Sequence, residues 1–232
     1  DRLPITMGER RQGHAAVILD DDRILITGGQ DGGYDPLDSV EIIDIHNNPP
    51  NTESNIPKMS SIHYRHASVK VDNNVYVIGG SVGPNYLKSV HRINVDDETP
   101  SWETIQDMSE ERHACAAALH GNTIFVFGGD DGDENTLSSI EYFETTTNEG
   151  WMRVENGMKT GRYSHSVVTV GNEIYVFGGK DNNRKPLDSV EIFDTLSKSS
   201  TDGPKLPVPI AAMSAVVVFE KYIIVSGGRT SD

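Results

Sequence analysis

The sequence predicts an all-β protein, a β-propeller of four-stranded antiparallel blades with about five blades present and the last incomplete. Three observations predict it: glycine pairs recur at an even interval, each pair closes a short β-branched and aromatic run, and nothing between the pairs carries helical periodicity. The pairs are Gly28-Gly29, Gly79-Gly80, Gly128-Gly129, Gly178-Gly179 and Gly227-Gly228, at steps of 51, 49, 50 and 49 residues.

Each element of the repeat follows from its residues. The runs ILIT, VYVI, IFVF, IYVF and IIVS before the glycines read as buried second strands. HAAVIL, HASVKV, CAAALH, HSVVTV and MSAVVV read as first strands, joined to the second by tight polar turns such as Asp72-Asn73 and Gly171-Asn172. After the glycines a polar loop leads to PLDSVEIIDI, YLKSVHRINV, TLSSIEYFET and PLDSVEIFDT, aligned copies of a third strand. A weaker fourth strand is marked by Trp102 and Trp151 and ends at Met59, Met108 and Met158; blades one and four lack the tryptophan. One such sheet cannot bury both faces alone, so the sheets must pack radially against their siblings. The expected blades span about residues 8–59, 60–108, 109–158, 159–207 and, incompletely, 208–232, with residues 1–7 as an outer strand of a neighbouring or closing blade. Both ends look cut, which suggests an excerpt of a longer protein.

Composition narrows the function classes. At 232 residues a single large domain can bury a sizeable core, and the longest apolar runs, such as Ala212 to Phe219, fall far short of a membrane span. A formal charge of −15 repels phosphate backbones and anionic membrane surfaces, so neither nucleic acid nor membrane insertion is expected. The single cysteine, Cys115, excludes an intramolecular disulfide framework, and no Asn-x-Ser/Thr acceptor occurs, so an intracellular setting, cytoplasm or nucleus, is expected.

The diglycine closing the second strand, the tryptophan on the fourth and the Arg-x-x-His lead-ins at Arg11 to His14 and Arg162 to His165 resemble the kelch repeat, over nearly the whole chain. The resemblance is specific for fold and says far less about activity. In kelch adaptors of ubiquitin ligases, peptide-contacting residues lie just after the diglycine and just before the first strand. The resemblance therefore implies Gln30, Ser81, Asp130, Lys180 and Arg229 after the glycines, and Tyr64, Arg65, His113, Tyr163 and Ser164 before the strands.

If successive strands alternate direction, the loops joining strand four to one and two to three open on one face. That face receives Arg10, Arg11, Arg65, Arg112, Arg162, Arg184 and Arg229 among Asp31, Asp35, Asp130, Asp131, Glu110 and Glu111. The other is acidic, with Asp20, Asp21, Asp22, Asp72, Asp96, Asp97, Glu98, Glu149 and Glu173 offset only by Lys198 and Lys221. Arginine and tyrosine make good interface anchors, so Arg65, Arg112, Arg162 and Arg229 join Tyr64, Tyr163, His113, Lys180, Gln30 and Asp130 as candidate partner contacts. The alternative for Arg112 and Arg162 is that they tie neighbouring loops together.

Motifs for chemistry are weaker than their structural explanations. The diglycines lack the helix that a phosphate cradle needs, and glycine there permits positive φ and close approach of the adjacent blade. His14, His66 and His165 recur at one first-strand position that Cys115 and Met213 fill elsewhere; repetition points to packing, against a ring of histidines around a central channel. Cys115 is the only thiol open to a galactose-oxidase-like copper site, but it stands in an alanine-rich strand as a small buried residue. The Glu-x-x-x-Asp-x-x-x-His iron motif of kelch-type nitrile-specifier proteins is absent; Glu103 and Asp107 continue to Glu111. The run from Asp130 to Asn135 looks like a calcium loop without the spacing of an EF-hand. The expectation is a protein or peptide-binding scaffold or adaptor, with no cofactor and no catalysis; the alternative is a carbohydrate-active or metal-dependent propeller enzyme with its site at the channel mouth.

Overall fold

The computed structural model describes residues 7–45, 56–133 and 135–230, and within them every regular element is a strand. None is a helix long and apolar enough to cross a membrane. The chain divides into two compact units, Asp1–Asp107 and Met108–Asp232.

In the first unit, blade one pairs Ala15–Ile18, Arg23–Thr27 and Val40–Asp44 in consecutive antiparallel order. Blade two pairs Ala67–Val71, Asn74–Ile78, Val90–Asn94 and Glu103–Thr104 in the same way. A small ribbon, Ser81–Val82 with Asn85–Tyr86, forms on its loop between strands two and three. Alternation along the strands puts Leu25, Val40 and Met59 into one core with Val75, Val77 and Ile93, all buried. Neither sheet could cover that face by itself, and burying each such side chain stabilises by about 1.5–3 kcal/mol.

The second unit repeats the pattern. Blade three is Ala116–His120, Thr123–Phe127, Ile140–Glu144 and Trp151–Val154; blade four is Ser166–Val170, Glu173–Phe177, Val190–Asp194 and Ser199–Asp202. A hairpin, Ala211–Val218 with Tyr222–Arg229, supplies the first two strands of blade five. Phe193 of blade four sets its ring edge-on against Phe125 and Phe127 of blade three, with centroids 5.7 and 5.5 Å apart. Blade four buries its opposite face, Val168, Phe177 and Val190, against Ala215, Val217, Ile223 and Val225 of the hairpin.

Third strands form in blades one to four and fourth strands in blades two to four; those of blades two and three stop at Thr104 and Val154, four residues before the expected Met108 and Met158, and blade four makes its fourth strand without a tryptophan. Trp102 instead ties its own blade to the segment before it, its indole N–H donating to the Pro57 carbonyl at 2.9 Å. The expected fourth strand of blade one falls largely on residues 46–55, and the expected outer strand on residues 1–7. These lie outside the described residues except for Met7, which is exposed and in no strand.

Backbone bonds join successive blades inside each unit. The second glycine of a pair donates its N–H to the next blade's lead-in: Gly29 to His63 O, Gly129 to Arg162 O and Gly179 to Ile210 O, each at 2.9 Å. Two residues beyond that acceptor, the next lead-in returns a bond: Arg65 N–H to Gly13 O, Ser164 N–H to Ala114 O and Ala212 N–H to Ser164 O, each 2.8 Å. These returning residues adopt left-handed backbone although all three carry side chains, with φ of 52° at Arg65, 52° at Ser164 and 55° at Ala212. Such strain persists because the paired bonds hold it.

The close approach explains the diglycine. At Gly178, φ 52°, an added β-carbon would collide with the Ile210 carbonyl of the next blade and with the Met213 methyl. Gly171, in the turn between strands one and two of the same blade, has nearly the same φ of 59° but open space around it. The two separate conformation from crowding. Gly171→Ala is expected to cost about 1 kcal/mol for the left-handed conformation alone, whereas Gly178→Ala adds overpacking of about 1–3 kcal/mol or more. Urea midpoints of the two variants measure the difference, and equal losses would contradict the crowding argument.

Candidate functional site

Each lead-in arginine is consumed inside its own blade. Arg112 donates from Nη1 to the Gly128 carbonyl at 2.8 Å and to the Ser139 carbonyl at 3.2 Å, from Nη2 to Ser139 Oγ at 2.8 Å, and from Nε to Glu141 Oε1 at 3.0 Å. Arg162 meets Gly178, Ser189 and Glu191, and Arg11 meets Gly28, Ser39 and Glu41, but in both the glutamate is bonded by Nη2; Nε donates to the Thr160 carbonyl in Arg162 and is buried without a partner in Arg11. The glutamate's remaining capacity holds the loop between strands four and one: Glu141 accepts Ser109 N–H at 2.7 Å, and Glu191 accepts Lys159 N–H at 2.6 Å and Thr160 N–H at 3.1 Å. In the third copy, burial raises the Glu41 carboxyl, but bonds from Gly8 and Arg11 outweigh this and leave it below the ordinary carboxylate value.

The expectation that Arg112 and Arg162 contact a partner is therefore corrected: both side chains are 0% exposed, with their donors committed to glycine and serine carbonyls and to a carboxylate. His113 is also buried, at 8%. Sequence reasoning missed Glu41, Glu141 and Glu191, although a signal existed. Arginine and glutamate occur together in blades one, three and four, and both become histidine in blade two, at His63 and His91.

The remaining candidates are brought together in pairs. The residue after each lead-in arginine, or its replacement, sits directly opposite the residue after the diglycine in a short antiparallel bridge. The pairs are Gln12 with Gln30, Tyr64 with Ser81, His113 with Asp130, and Tyr163 with Lys180. Ala211 faces Arg229 in the hairpin. Backbone geometry thus repeats while side-chain chemistry changes from blade to blade. Arg65 and Arg229 are exposed, and the Arg65 guanidinium lies over the Tyr64 ring, 5.2 Å from its centroid. Ser164 is spent on the interblade backbone bond described above, whereas its side chain is half-buried.

Acidic residues on these loops have turn duties. Asp31 Oδ1 accepts the N–H groups of Gly33 and Asp35 at 2.7 and 2.9 Å, Asp131 those of Asp133 and Asn135, and Asp181 those of Asn183 and Lys185. The calcium-like run in blade three is one copy of this turn; its Glu134 lies outside the described residues. In blade one the turn borders a cleft of about 300 Å³ lined by Arg10, Gln12, Gln30, Asp31 and Tyr34. On the acidic loops Lys198 offers little offset. Its ammonium is held over the rings of Phe125 and Tyr142 at 4.6 and 4.5 Å and donates to the Thr195 carbonyl.

The repeated histidines are packing residues with unequal partners. His66 reaches Thr27 Oγ1 of the preceding blade through Nε2 at 2.8 Å. His165 stands in the same place in blade four, but the residue before the preceding diglycine is now Phe127, and both ring nitrogens of His165 are buried without a partner. Burial first, and the charges of Arg162 and Arg112 next, push its pKa down to about 3. Cys115, at the same position in blade three, is buried. Among the described residues, no three His, Cys, Asp or Glu side chains gather in a way that would hold a metal ion.

Comparison with known proteins agrees with this architecture. A family model described as the KLHDC2/KLHL20/DRC7 Kelch-repeats domain matches residues 65–232, and a Kelch motif model matches residues 10–48. Kelch-like protein 23 of Homo sapiens is 28% identical over 155 residues, 66% of this chain and 26% of that protein. Kelch-like protein 28 of Mus musculus is 30% identical over 139 residues, 54% of this chain and 24% of that protein. The chain spans about a quarter of the length of these relatives. A solved structure titled "Structure of YjhT" aligns over 97% of this chain and 75% of its own with a TM-score of 0.80 at 17% identity, a likeness of fold.

The orphaned His165 yields a test. Methionine fills the equivalent position in blade five as Met213, so His165→Met removes two unsatisfied polar atoms, and a gain of about 1–3 kcal/mol is expected at pH 7. The folded value of about 3 lies below the 6.5 of the free side chain. The unfolded chain therefore takes up the proton first, and stability is lost as pH falls from 6.5 toward 3. Urea unfolding across that range should show a shallower acid loss in the variant; an unchanged slope and an unchanged midpoint at pH 7 would refute the assignment.

Proposed function

This chain belongs to the kelch-repeat family, and on that premise we propose that it works as a non-catalytic interaction module that binds a protein or peptide partner through the paired lead-in and post-diglycine positions. One observation carries the reading. At these positions the backbone is fixed by repeated bonds while no two blades carry the same pair of side chains: Gln12 with Gln30, Tyr64 with Ser81, Tyr163 with Lys180, Ala211 with Arg229. A side chain repeated in each blade performs one structural task several times, whereas a varied set on a constant frame is what discrimination between partners requires. Loops held by a rigid scaffold are where such contacts concentrate.

The chemistry left available on these loops leans toward cations and aromatic rings. Arg10, Arg65, Arg184 and Arg229 are exposed, while Asp31, Asp131 and Asp181 are engaged in turns. Tyr64 and Tyr163 are half-buried, so each offers contact area at little cost in side-chain freedom. The partner is accordingly read as a segment that presents acceptors to these side chains. An intracellular setting fits this reading and rests on composition alone.

Arg65→Glu combined with Tyr163→Ala and Lys180→Glu tests it in the full-length protein. Recovery of the principal partner by pull-down should fall by about tenfold or more, equivalent to roughly 1.4 kcal/mol, with the melting temperature held within a few degrees. Asp96→Asn with Asp97→Asn, on the opposite loops, should leave recovery unchanged. Full recovery with the first variant, or loss with the second, rejects the face.

A further inference from the structure

The buried clamp of blades one, three and four has a different occupant in blade two. The arginine position is His63 and the glutamate position is His91, their rings crossing at 74° with centroids 5.0 Å apart. A third ring, His66, lies 5.7 Å from His63. All three side chains are buried.

With both rings neutral, each bond of the cluster joins one donor to one acceptor. His63 Nδ1 lies 2.8 Å from the Gly79 carbonyl, which only accepts, so Nδ1 carries the hydrogen and Nε2 is left as an acceptor. Ser61 Oγ, 2.8 Å from that nitrogen, must donate to it, and it then accepts from His91 Nε2 at 3.1 Å. His91 Nδ1 is thereby an acceptor for the hydroxyls of Ser60 and Thr104, each at 3.2 Å. Every bond in the chain from Gly79 to Thr104 is made when both rings are neutral. The ionisable groups acting on the cluster are few: His14 from blade one acts on His66, and Asp107, after the fourth strand, acts on His91 as the one carboxylate. Thr27, which meets His66 Nε2, and Ser68, which meets the Thr27 hydroxyl, are uncharged, and His66 Nδ1 is buried without a partner. Burial holds His63 down to about 4.

We propose that the His63–Ser61–His91 chain makes blade two an acid-sensitive latch: neutral rings lock the loop of residues 60–65 to the Gly79 strand end, and protonation releases it. The arginine and glutamate pairs of the other blades hold the same loop with charges that persist through this range. In blade two a second proton places like charges about 5 Å apart in a site that excludes water, so an open state, where the rings are solvated, gains the protons. The released segment contains Tyr64 and Arg65, although the latch stands whether or not those residues bind a partner.

Hydrogen exchange by mass spectrometry on the full-length protein, corrected for intrinsic rates, tests this at pH 7.5 and pH 5.0. Protection of residues 60–66 and 78–91 should fall by about tenfold or more on acidification, while residues 128–141 of blade three, which contain no histidine, change much less, because one uncompensated histidine with an open-state pKa near 6.5 already supplies that factor. His63→Arg with His91→Glu, which installs the pair found in the neighbouring blade, should abolish the difference between the blades. Equal loss in blades two and three of the unsubstituted protein overturns the proposal, as does a folded double variant that keeps the acid response of blade two. The unsubstituted comparison decides the matter even if the double variant does not fold.

Discussion

A guanidinium group without solvent is held when its donors meet acceptors and its charge meets a counter-charge, and that constraint organises blades one, three and four. The arginine before strand one spans three places at once: the carbonyl of the first glycine ending strand two, the serine opening strand three and a glutamate on strand three. The glutamate then receives backbone N–H groups from the loop entering the blade. One buried ion pair therefore fixes the ends of three strands and a loop. The glycine immediately after the clamped one bonds to the next blade, so order inside a blade is passed to its neighbour.

From this frame follows a division of labour among polar residues that look alike in composition. Arg112 and Arg162 are structural, Arg65 and Arg229 are exposed, and the difference is one of register: the structural arginines precede the bridge residue, whereas Arg65 follows it and Arg229 lies after a diglycine. Aspartates divide similarly. Asp31, Asp131 and Asp181 cap the turns after the glycines, which explains their recurrence without reference to any ligand.

Much of the fold was legible because its signals are local. A run such as IFVF ending in two glycines fixes a strand and its stop, and five evenly spaced copies fix the class. The crowding at Gly178 was legible in kind, since a glycine pair at a strand end implies close approach. The clamp was not, because its partners are separated by 29 or 30 residues and a lone arginine in a polar loop reads as a surface group. Only the joint replacement of arginine and glutamate by His63 and His91 betrays the pairing. The missing partner of His165 was equally hidden, since it depends on Phe127 standing where Thr27 stands two blades earlier. Pairing of lead-in and post-glycine residues is a matter of strand register, which the loop lengths alone did not specify.

The central claim is that the buried arginine and glutamate act as one coupled unit. A double-mutant cycle on Arg112→Met and Glu141→Leu, read by urea unfolding at pH 7, measures that coupling directly. Arg112→Met strands the buried Glu141 carboxylate and is expected to cost about 3–5 kcal/mol, and Glu141→Leu leaves Arg112 only the more exposed Glu110 at 3.3 Å, at a cost toward the lower end of that range. The double change removes both charges, so its loss should fall short of the sum by about 2 kcal/mol or more. Additive losses would contradict the account.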